Sequence, residues 1–369
     1  MAVAPALAAD IGIETTAKQA YMIDAVTGTV LLSKNADERM HPSSMSKLMT
    51  VYEVFDKLRK GELKLTDIFT VSDKAWRLDK QGEGKGGSSM FLPLGARVTV
   101  GDLLQGVIVQ SGNDACVVLA EGIAGSEQAF AEQLNKKAKD LGLTNSTFRN
   151  ASGLPDPEHL MTAHDLAILA RHIINDFPED YKYFSEISFT YNGIKQGNRN
   201  PLLYKNMGVD GLKTGHTEGG GYGLTASAKR GDRRLILVLN GMASVNERSH
   251  ESERLLEWGF REFDNYALFK KGERVEDAEI WLGTEPKVAL VADHDIVVTL
   301  PRTARKDMKI AVNYTGPIPA PIQKGAPIAR LTVSGGSMQP LEIPLLAAAD
   351  VPKLGPLGRI KAAAAPFHL

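Results

Sequence analysis

The amino-acid pattern changes near Asn265, and this change limits the possible folds more than any other feature of the sequence. Beyond it, short runs of β-forming residues alternate with Pro, Gly and Asp turns, as in KVALVAD, DIVVTL, MKIAVNY and ARLTVS. Such spacing is typical of a small all-β domain. Because the 369 residues also exceed the usual ~100–200 residues of one domain, we expect two domains. We place the first at residues 1–263, the β-rich domain at 264–350 and a tail at 351–369.

The residues before this point mix strand and helix patterns. Strands are predicted at Ala20–Asp24, at Thr29–Ser33 and in RRLILVLNGM, and a helix is predicted just after Pro42, where apolar residues recur at helical spacing. Further amphipathic helices are predicted over Phe130–Leu141 and Thr162–Ile174. Strands at both ends of a helical middle predict an α+β fold, in which a helix cluster packs against an antiparallel sheet.

The charge balance argues against nucleic acid as a partner. Lys and Arg number 43 against 44 Asp and Glu, a formal net charge of −1, so no strong field attracts polyanions. Cys116 is the only cysteine, which excludes an internal disulfide and a CxxC pair, and we expect it in the core. The spacing of His159, His164 and His172 does not bring a third ligand to one point, so we expect no metal site. We also expect no cofactor.

The stretch HPSSMSKLMT contains one serine placed three residues before a lysine, the pair Ser44 and Lys47. On a helix, residues at this spacing lie ~5–6 Å apart at Cβ. A lysine whose pKa is lowered by burial or by a neighbouring cation can take the serine proton and so activate the serine as a nucleophile. The backbone N–H of Ser44 at a helix start would also face a developing oxyanion. Alone, the pair is better explained as a solvated helix start, because Ser-x-x-Lys is common.

Two further segments change this interpretation. SGN, Ser111–Asn113, is predicted at a junction between two helices and offers a hydroxyl for proton relay and an amide that can hold a peptide bond. KTGHT, Lys213–Thr217, is predicted to open a strand and offers a cation, a hydroxyl and strand N–H groups. In the order SxxK, SxN, KTG these segments match the active-serine motifs of penicillin-binding proteins and class A β-lactamases.

The chain as a whole resembles the low-molecular-mass penicillin-binding proteins, which are serine-type D-Ala-D-Ala carboxypeptidases of the S11 peptidase type. The resemblance rests on HPSSMSKLMT, QSGNDACVVLAEGIAG, TAHDLAILAR, NRNPLLY, VDGLKTGHT and LLEWGF, and the β-rich domain is similar to the family's second domain. It implies a transpeptidase domain of the penicillin-binding and β-lactamase type, built from a helix cluster and an antiparallel sheet, followed by a small all-β domain.

The resemblance also implies a role for each motif residue. Ser44 would be the acylated nucleophile, and Lys47 its general base. Proton relay and the electrostatics of the cleft would depend on Ser111 and Lys213. Asn113 would orient the peptide of the substrate.

A second group of residues would bind the substrate. The other N–H of the oxyanion hole would come from His216, next to Gly215. The terminal carboxylate would be bound by Thr214, Arg199 and Arg248. Without the resemblance, Arg248 is better explained as a solvated charge at the start of a helix.

The expected activity is removal of the terminal D-Ala from peptidoglycan pentapeptide stems in the periplasm, through an acyl-enzyme at Ser44 that β-lactams would also form. One alternative is a β-lactamase of the same fold. This alternative is weakened by the Glu-x-x-x-Asn pattern that class A enzymes carry. The residue four positions before Asn135 is Ala131, where the pattern requires a glutamate. The other alternative is a non-catalytic protein that binds or scaffolds the cell wall, and the complete motifs argue against it.

Three segments bear on location and rate. The N-terminal AVAPALAAD has the Ala-x-Ala pattern of a signal-peptidase site, which predicts export. The loop Ala75–Leu92 is rich in glycine and charge, and the corresponding loop of the family borders the active site, which leaves deacylation rate and substrate preference open. In the tail, Gly and Pro interrupt the helix, so we expect only weak, salt-sensitive contact with the inner membrane through Arg359 and Lys361.

Overall fold

The computed structural model describes residues 12–80, 87–335 and 339–358. The chain forms two compact units. One comprises Gly12–Val26 and Val30–Phe260, and the other comprises Thr27–Thr29 with the described residues from Arg261 onward. The segment AVAPALAAD, part of the glycine-rich loop (81–86) and the basic end of the tail lie outside the described residues, so the predictions made for them stay predictions.

A five-stranded antiparallel sheet forms the centre of the first unit. In spatial order its strands are β2 (Val30–Lys34), β1 (Gln19–Asp24), β9 (Arg233–Met242), β8 (Gly221–Arg230) and β7 (Val209–Thr217). The strand β7 is therefore at an edge of this sheet, with one side paired to β8.

Helices cover both faces of the middle strands, which explains why RRLILVLNGM is almost continuously apolar. The helix α6 (Ala163–Asp176) packs against β1 and β9. The helix α7 (Val245–Glu262) contacts the same strands through Gly259, where a Cβ would lie 2.8 Å from atoms of both Leu235 and Met22. Because Met22 lies between Tyr21 and Ile23, which point into the helical core, it faces the other side of the sheet.

The other helices of this unit form the cluster that carries the SxxK and SxN motifs. They are α1 (Lys47–Arg59), α2 (Asp73–Lys80), α3 (Val100–Gln105), α4 (Asn113–Ala124) and α5 (Glu127–Asp140). The predicted helices after Pro42, at 130–141 and at 162–174 are thus confirmed as α1, α5 and α6. Cys116 is fully buried in α4, as expected for a core residue. The unit also contains two short antiparallel strand pairs: β3 (Ile68–Thr70) with β4 (Arg97–Thr99), and the hairpin of β5 (Ser188–Tyr191) with β6 (Ile194–Gly197).

The prediction that KTGHT opens a strand was wrong. The strand β7 begins at Val209, four residues earlier, so that the KTG residues lie in its interior. The start of β7 was missed because Asp210 and Gly211 are poor strand formers. In the structure, an ion pair with Arg234 of β9 at 2.7 Å compensates the charge of the Asp210 carboxylate.

The second unit is all-β, which confirms the fold class. Its strands are β10 (Phe263–Phe269), β11 (Arg274–Trp281), β12 (Lys287–Val291), β13 (Ile296–Pro301), β14 (Lys309–Asn313), β15 (Ile318–Pro319), β16 (Pro327–Ser334) and β17 (Leu341–Ala347). The main sheet has the spatial order β14-β16-β17-β12-β11-β15, and β10 pairs with β13. Along β16, Ala329, Leu331 and Val333 are buried in alternation with more exposed residues, the pattern of a sheet with one face on a core. Within the described ranges, no helix of either unit has the length and apolar character needed to cross a membrane.

Candidate active site

Ser44 and Lys47 are brought together at the start of α1. A 3₁₀ turn over Ser43–Ser46 leads directly into the helix, and Lys47 Nζ lies 2.9 Å from Ser44 Oγ. Ser43 has a left-handed backbone, with φ of 52°, which is uncommon for a residue with a side chain. Its hydroxyl bonds to Thr217 Oγ1 at 2.8 Å, which joins this turn to β7.

The Lys47 side chain is fully buried and has three oxygen partners. Besides Ser44, its Nζ donates to Asn113 Oδ1 at 2.7 Å and to the Ser152 carbonyl at 2.6 Å. Burial lowers the pKa of Lys47 from 10.5 to about 8. A neutral amine has two N–H bonds and one lone pair. With Asn113 and Ser152 as acceptors for the two N–H bonds, the lone pair points to Ser44 Oγ.

The segment 149–159 fixes the Ser152 carbonyl in this position. Thr50 Oγ1 donates to the Ala151 carbonyl at 2.7 Å, and Arg149 N donates to His159 Nδ1 at 3.2 Å. Because Nδ1 accepts, the other ring nitrogen, Nε2, carries the proton and donates to Ser46 Oγ at 2.6 Å. Burial lowers the pKa of His159 to about 4, which keeps the ring neutral near pH 7.

The SxN motif lies at a junction between helices, as predicted. A π-helical turn over Gly106–Gln110 ends at Ser111, whose φ is 63°, and α4 begins at Asn113. Ser111 Oγ is buried and has no hydrogen-bond partner among the described residues. It is thus available to exchange a proton with a group that enters the cleft.

The KTG motif lies close to the active-serine turn because of its glycine. A Cβ on Gly215 would lie 2.8 Å from the Pro42 carbonyl oxygen and 3.1 Å from Ser43 Cβ, which is too close for any larger residue without a shift of the backbone. Lys213 is buried, and desolvation, together with the positive charge of Lys47, holds its pKa well below the ordinary value.

A cleft of ≈ 450 Å³ connects the three motifs. Its walls contain two arginines and, within the described part of the chain, no carboxylate, so it favours an anionic ligand. Arg248 is only 7% exposed, so its interpretation as a solvated charge is wrong. Arg199 is more exposed and its Nη1 donates to Ser88 Oγ. The lining residues are Ser44, Gly87, Ser88, Ser111, Arg199, Thr214, Gly215, His216, Tyr222, Val245 and Arg248.

Three features of the site were missed from the sequence. The Ser152 carbonyl has no sequence signature, because any residue type supplies a carbonyl. Tyr222 was missed because it comes opposite His216 only through the β7–β8 register. Asp114 follows the SxN motif directly, and its buried carboxylate accepts hydrogen bonds from Ser89 Oγ and Met90 N, both at 2.9 Å. That adjacency was the available signal for a residue that shapes the edge of the cleft.

The position that holds the water-binding glutamate of class A β-lactamases has no acid here. Asn135 Nδ2 donates to the carbonyls of Ala131 at 2.8 Å and Phe148 at 2.7 Å, so its amide fixes the backbone. The nearby Glu127 carboxylate accepts from Ala151 N at 3.1 Å and pairs with Lys74 at 2.7 Å. Together with the absence of carboxylates from the described lining of the cleft, this argues against the β-lactamase alternative.

This fold defines a penicillin-binding protein, and comparison with known proteins identifies the family. The D-alanyl-D-alanine carboxypeptidase model of peptidase family S11 matches residues 4–243, and the penicillin-binding protein 5 C-terminal domain matches residues 263–353. The chain therefore belongs to the S11 family of D-alanyl-D-alanine carboxypeptidases.

Individual relatives cover most of the chain. It is 42% identical to D-alanyl-D-alanine carboxypeptidase DacC of Escherichia coli K12, over 92% of this chain and 85% of that protein. The crystal structure of penicillin-binding protein 5 from Haemophilus influenzae matches with a TM-score of 0.85 at 37% identity, covering 93% of this chain and 99% of that one. Penicillin-binding protein D2 from Listeria monocytogenes, in its cefotaxime-bound form, matches at 29% identity and a TM-score of 0.61, over 68% of this chain and 99% of its own.

Proposed function

We propose that the chain removes the terminal D-Ala from peptidoglycan pentapeptide stems through an acyl-enzyme at Ser44. The observation that carries this proposal is the environment of Lys47, a fully buried amine with Ser44 Oγ at 2.9 Å and two other fixed acceptors. A measurable fraction of such an amine is neutral near physiological pH. Among its three partners, only the Ser44 hydroxyl can give it a proton.

In the acylation step, Lys47 accepts the Ser44 proton while Oγ bonds to the carbonyl carbon of the penultimate D-Ala. The N–H groups of Ser44 and of His216 on the edge strand β7 stabilise the oxyanion that forms. As the oxyanion collapses, the scissile C–N bond breaks, and its nitrogen takes a proton from Lys47 by way of the Ser111 hydroxyl. Free D-Ala leaves as the first product.

Deacylation repeats these steps with water as the nucleophile. A water molecule attacks the ester carbonyl, Lys47 accepts its proton, and the ester C–O bond breaks to return the proton to Ser44 Oγ. Lys213 contributes to the electrostatics of the cleft, and Asn113 orients the peptide. The same ester forms with β-lactams, whose strained amide replaces the scissile peptide bond.

The free terminal carboxylate of the substrate explains why two arginines line the cleft. A carboxypeptidase must distinguish a free terminal carboxylate from an internal peptide bond, and charge-assisted hydrogen bonds from arginine provide that distinction. We assign this role to Arg199, Arg248 and the Thr214 hydroxyl. Because the substrate is part of the cell wall, we place the enzyme in the periplasm; contact of its tail with the inner membrane stays a prediction.

The test is release of D-alanine from a D-Ala-D-Ala-terminated pentapeptide by the unmodified enzyme, Ser44→Ala and Ser185→Ala. We expect Ser44→Ala to abolish release. Ser185→Ala removes an exposed hydroxyl that does not line the cleft, and it should retain release. Release by Ser44→Ala at the rate of the unmodified enzyme would exclude Ser44 as the nucleophile, and absence of release by the unmodified enzyme would exclude the proposed reaction. Rapid turnover of penicillin without a lasting adduct would instead favour a β-lactamase.

A further inference from the structure

We propose that Tyr222 is a positioning residue for recognition of the terminal carboxylate, in that its ring orients the Arg248 guanidinium toward the cleft. This inference rests on the proposed function, since it concerns the same site and the same substrate. It assigns a part in substrate selection to a residue outside the three motifs.

Tyr222 contacts two other residues of the cleft. It belongs to β8 and lies directly opposite His216 of β7 in the antiparallel ladder. The two rings are nearly parallel, with centroids 3.9 Å apart and an interplanar angle of 24°. Arg248 Cζ lies 5.6 Å from the centroid of the Tyr222 ring. The phenol therefore contacts both the residue assigned to the oxyanion hole and the residue assigned to the carboxylate.

Arg248 has little else to fix its orientation. Its Nε is buried with no hydrogen-bond partner, and within the described ranges no carboxylate lies in ion-pair distance of its guanidinium. Only 7% of the residue is exposed, so bulk water solvates it poorly. An arginine already paired with a protein carboxylate would be less able to bind the carboxylate of a substrate. The face of an aromatic ring attracts the cation without occupying its N–H donors.

This arrangement separates the effect of Tyr222 from the chemical step. Loss of the ring should release the guanidinium into several rotamers, so that carboxylate binding must order it again. The cation–π attraction at a desolvated site corresponds to about a fivefold to thirtyfold change in kcat/KM. We expect the loss mainly in KM and only for substrates with a free carboxylate, because an amidated substrate does not use Arg248.

The experiment compares Tyr222→Leu and Tyr222→Phe in two backgrounds, the unmodified enzyme and Arg248→Ala. The substrates are a D-Ala-D-Ala-terminated pentapeptide and the same peptide with an amidated C-terminus. Tyr222→Leu should weaken turnover of the acid by the stated factor and that of the amide by less than about twofold. Tyr222→Phe keeps the ring face and should restore turnover of the acid. In the Arg248→Ala background, Tyr222→Leu should have no further effect on the ratio of acid to amide turnover.

The contrary results are distinct. Equal losses on acid and amide, or a full additional loss in the Arg248→Ala background, would show that Tyr222 supports the fold and does not act through Arg248. Covalent labelling by penicillin and the thermal unfolding midpoint report whether each variant is folded. If Tyr222→Leu is unfolded, Tyr222→Met, which fills a similar volume without a ring, takes its place. Absence of D-alanine release by the unmodified enzyme would overturn the proposed function and this inference with it, whereas a failure confined to the Tyr222 variants overturns the inference alone.

Discussion

Acylation of Ser44 should depend on pH through the protonation state of Lys47. Only the neutral amine can accept the Ser44 proton, and burial lowers the pKa of Lys47 to about 8. The acylation rate should therefore rise with pH through this value and level off above it. The experiment varies the pH, and the variant Lys47→Arg carries a side chain that stays charged at every pH tested.

The expected size of the rise follows from the pKa. With a pKa of about 8, the neutral fraction of Lys47 is about 9% at pH 7 and about 91% at pH 9, a tenfold increase. A lysine with the ordinary value of 10.5 would be about 0.03% neutral at pH 7 and about 3% at pH 9. Its rate would rise about a hundredfold and would still be increasing at pH 9. The two cases differ in both slope and plateau.

The assay is the second-order rate of penicillin acylation between pH 6 and pH 10, followed by intact-mass spectrometry. Lys213 is a second buried lysine with a lowered pKa, so Lys213→Arg is the matched control. It should lower the rate but retain the rise near pH 8, whereas Lys47→Arg should abolish acylation. A rate that is independent of pH over this range, or a rise that disappears in Lys213→Arg, would refute the assignment of Lys47 as the base.

The remaining predictions concern binding, packing and stability. Arg248→Ala should lower kcat/KM for a peptide acid by about tenfold to a hundredfold and leave its amide nearly unchanged, and equal losses would make Arg248 structural. Gly215→Ala should slow penicillin acylation at least about tenfold, because its Cβ would lie 2.8 Å from the Pro42 carbonyl, whereas Gly219→Ala, with no atom within 4 Å, should not; equal rates would show that the backbone adapts. Folding lowers the pKa of His159 from 6.5 to about 4, so the folded state binds fewer protons than the unfolded state between these values. The contribution of His159 to the free energy of unfolding is therefore fully present above pH 6.5 and is lost as the pH falls toward 4. The free energy of urea unfolding should decrease by about 3 kcal/mol more from pH 7 to pH 4 than in His159→Gln, and identical decreases would contradict this origin.

The proximity of Ser44 and Lys47 could be predicted because it depends on residue type at short spacing. Ser44 and Lys47 are three residues apart, and a helical start alone brings their side chains together. The strand β9 was recognisable because burial on both faces leaves a continuous apolar run. These signals are local, so neither required knowledge of the tertiary structure.

The parts that were missed depend on distant segments. The position of the Ser152 carbonyl is set by the path of residues 149–159, which Ser46 and Thr50 fix from α1 and the turn before it. The contact of Tyr222 with His216 depends on strand register, which the turn between β7 and β8 determines. The start of β7 was hidden because its Asp210 is compensated by Arg234, a residue of another strand. The burial of Arg248 likewise arises from tertiary packing, and its charge alone gave no sign of it.

We have proposed that Ser44 is acylated in the reaction that releases D-alanine. The most direct test is titration of the enzyme with penicillin, in which the labelled fraction of the tryptic peptide Met40–Lys47 is compared with the remaining carboxypeptidase activity. Fragmentation of this peptide distinguishes Ser44 from Ser43 and Ser46. We predict one adduct per chain, located on Ser44, with activity falling in direct proportion to the labelled fraction. An adduct on another residue, or full labelling of Ser44 with undiminished release of D-alanine, would contradict the claim.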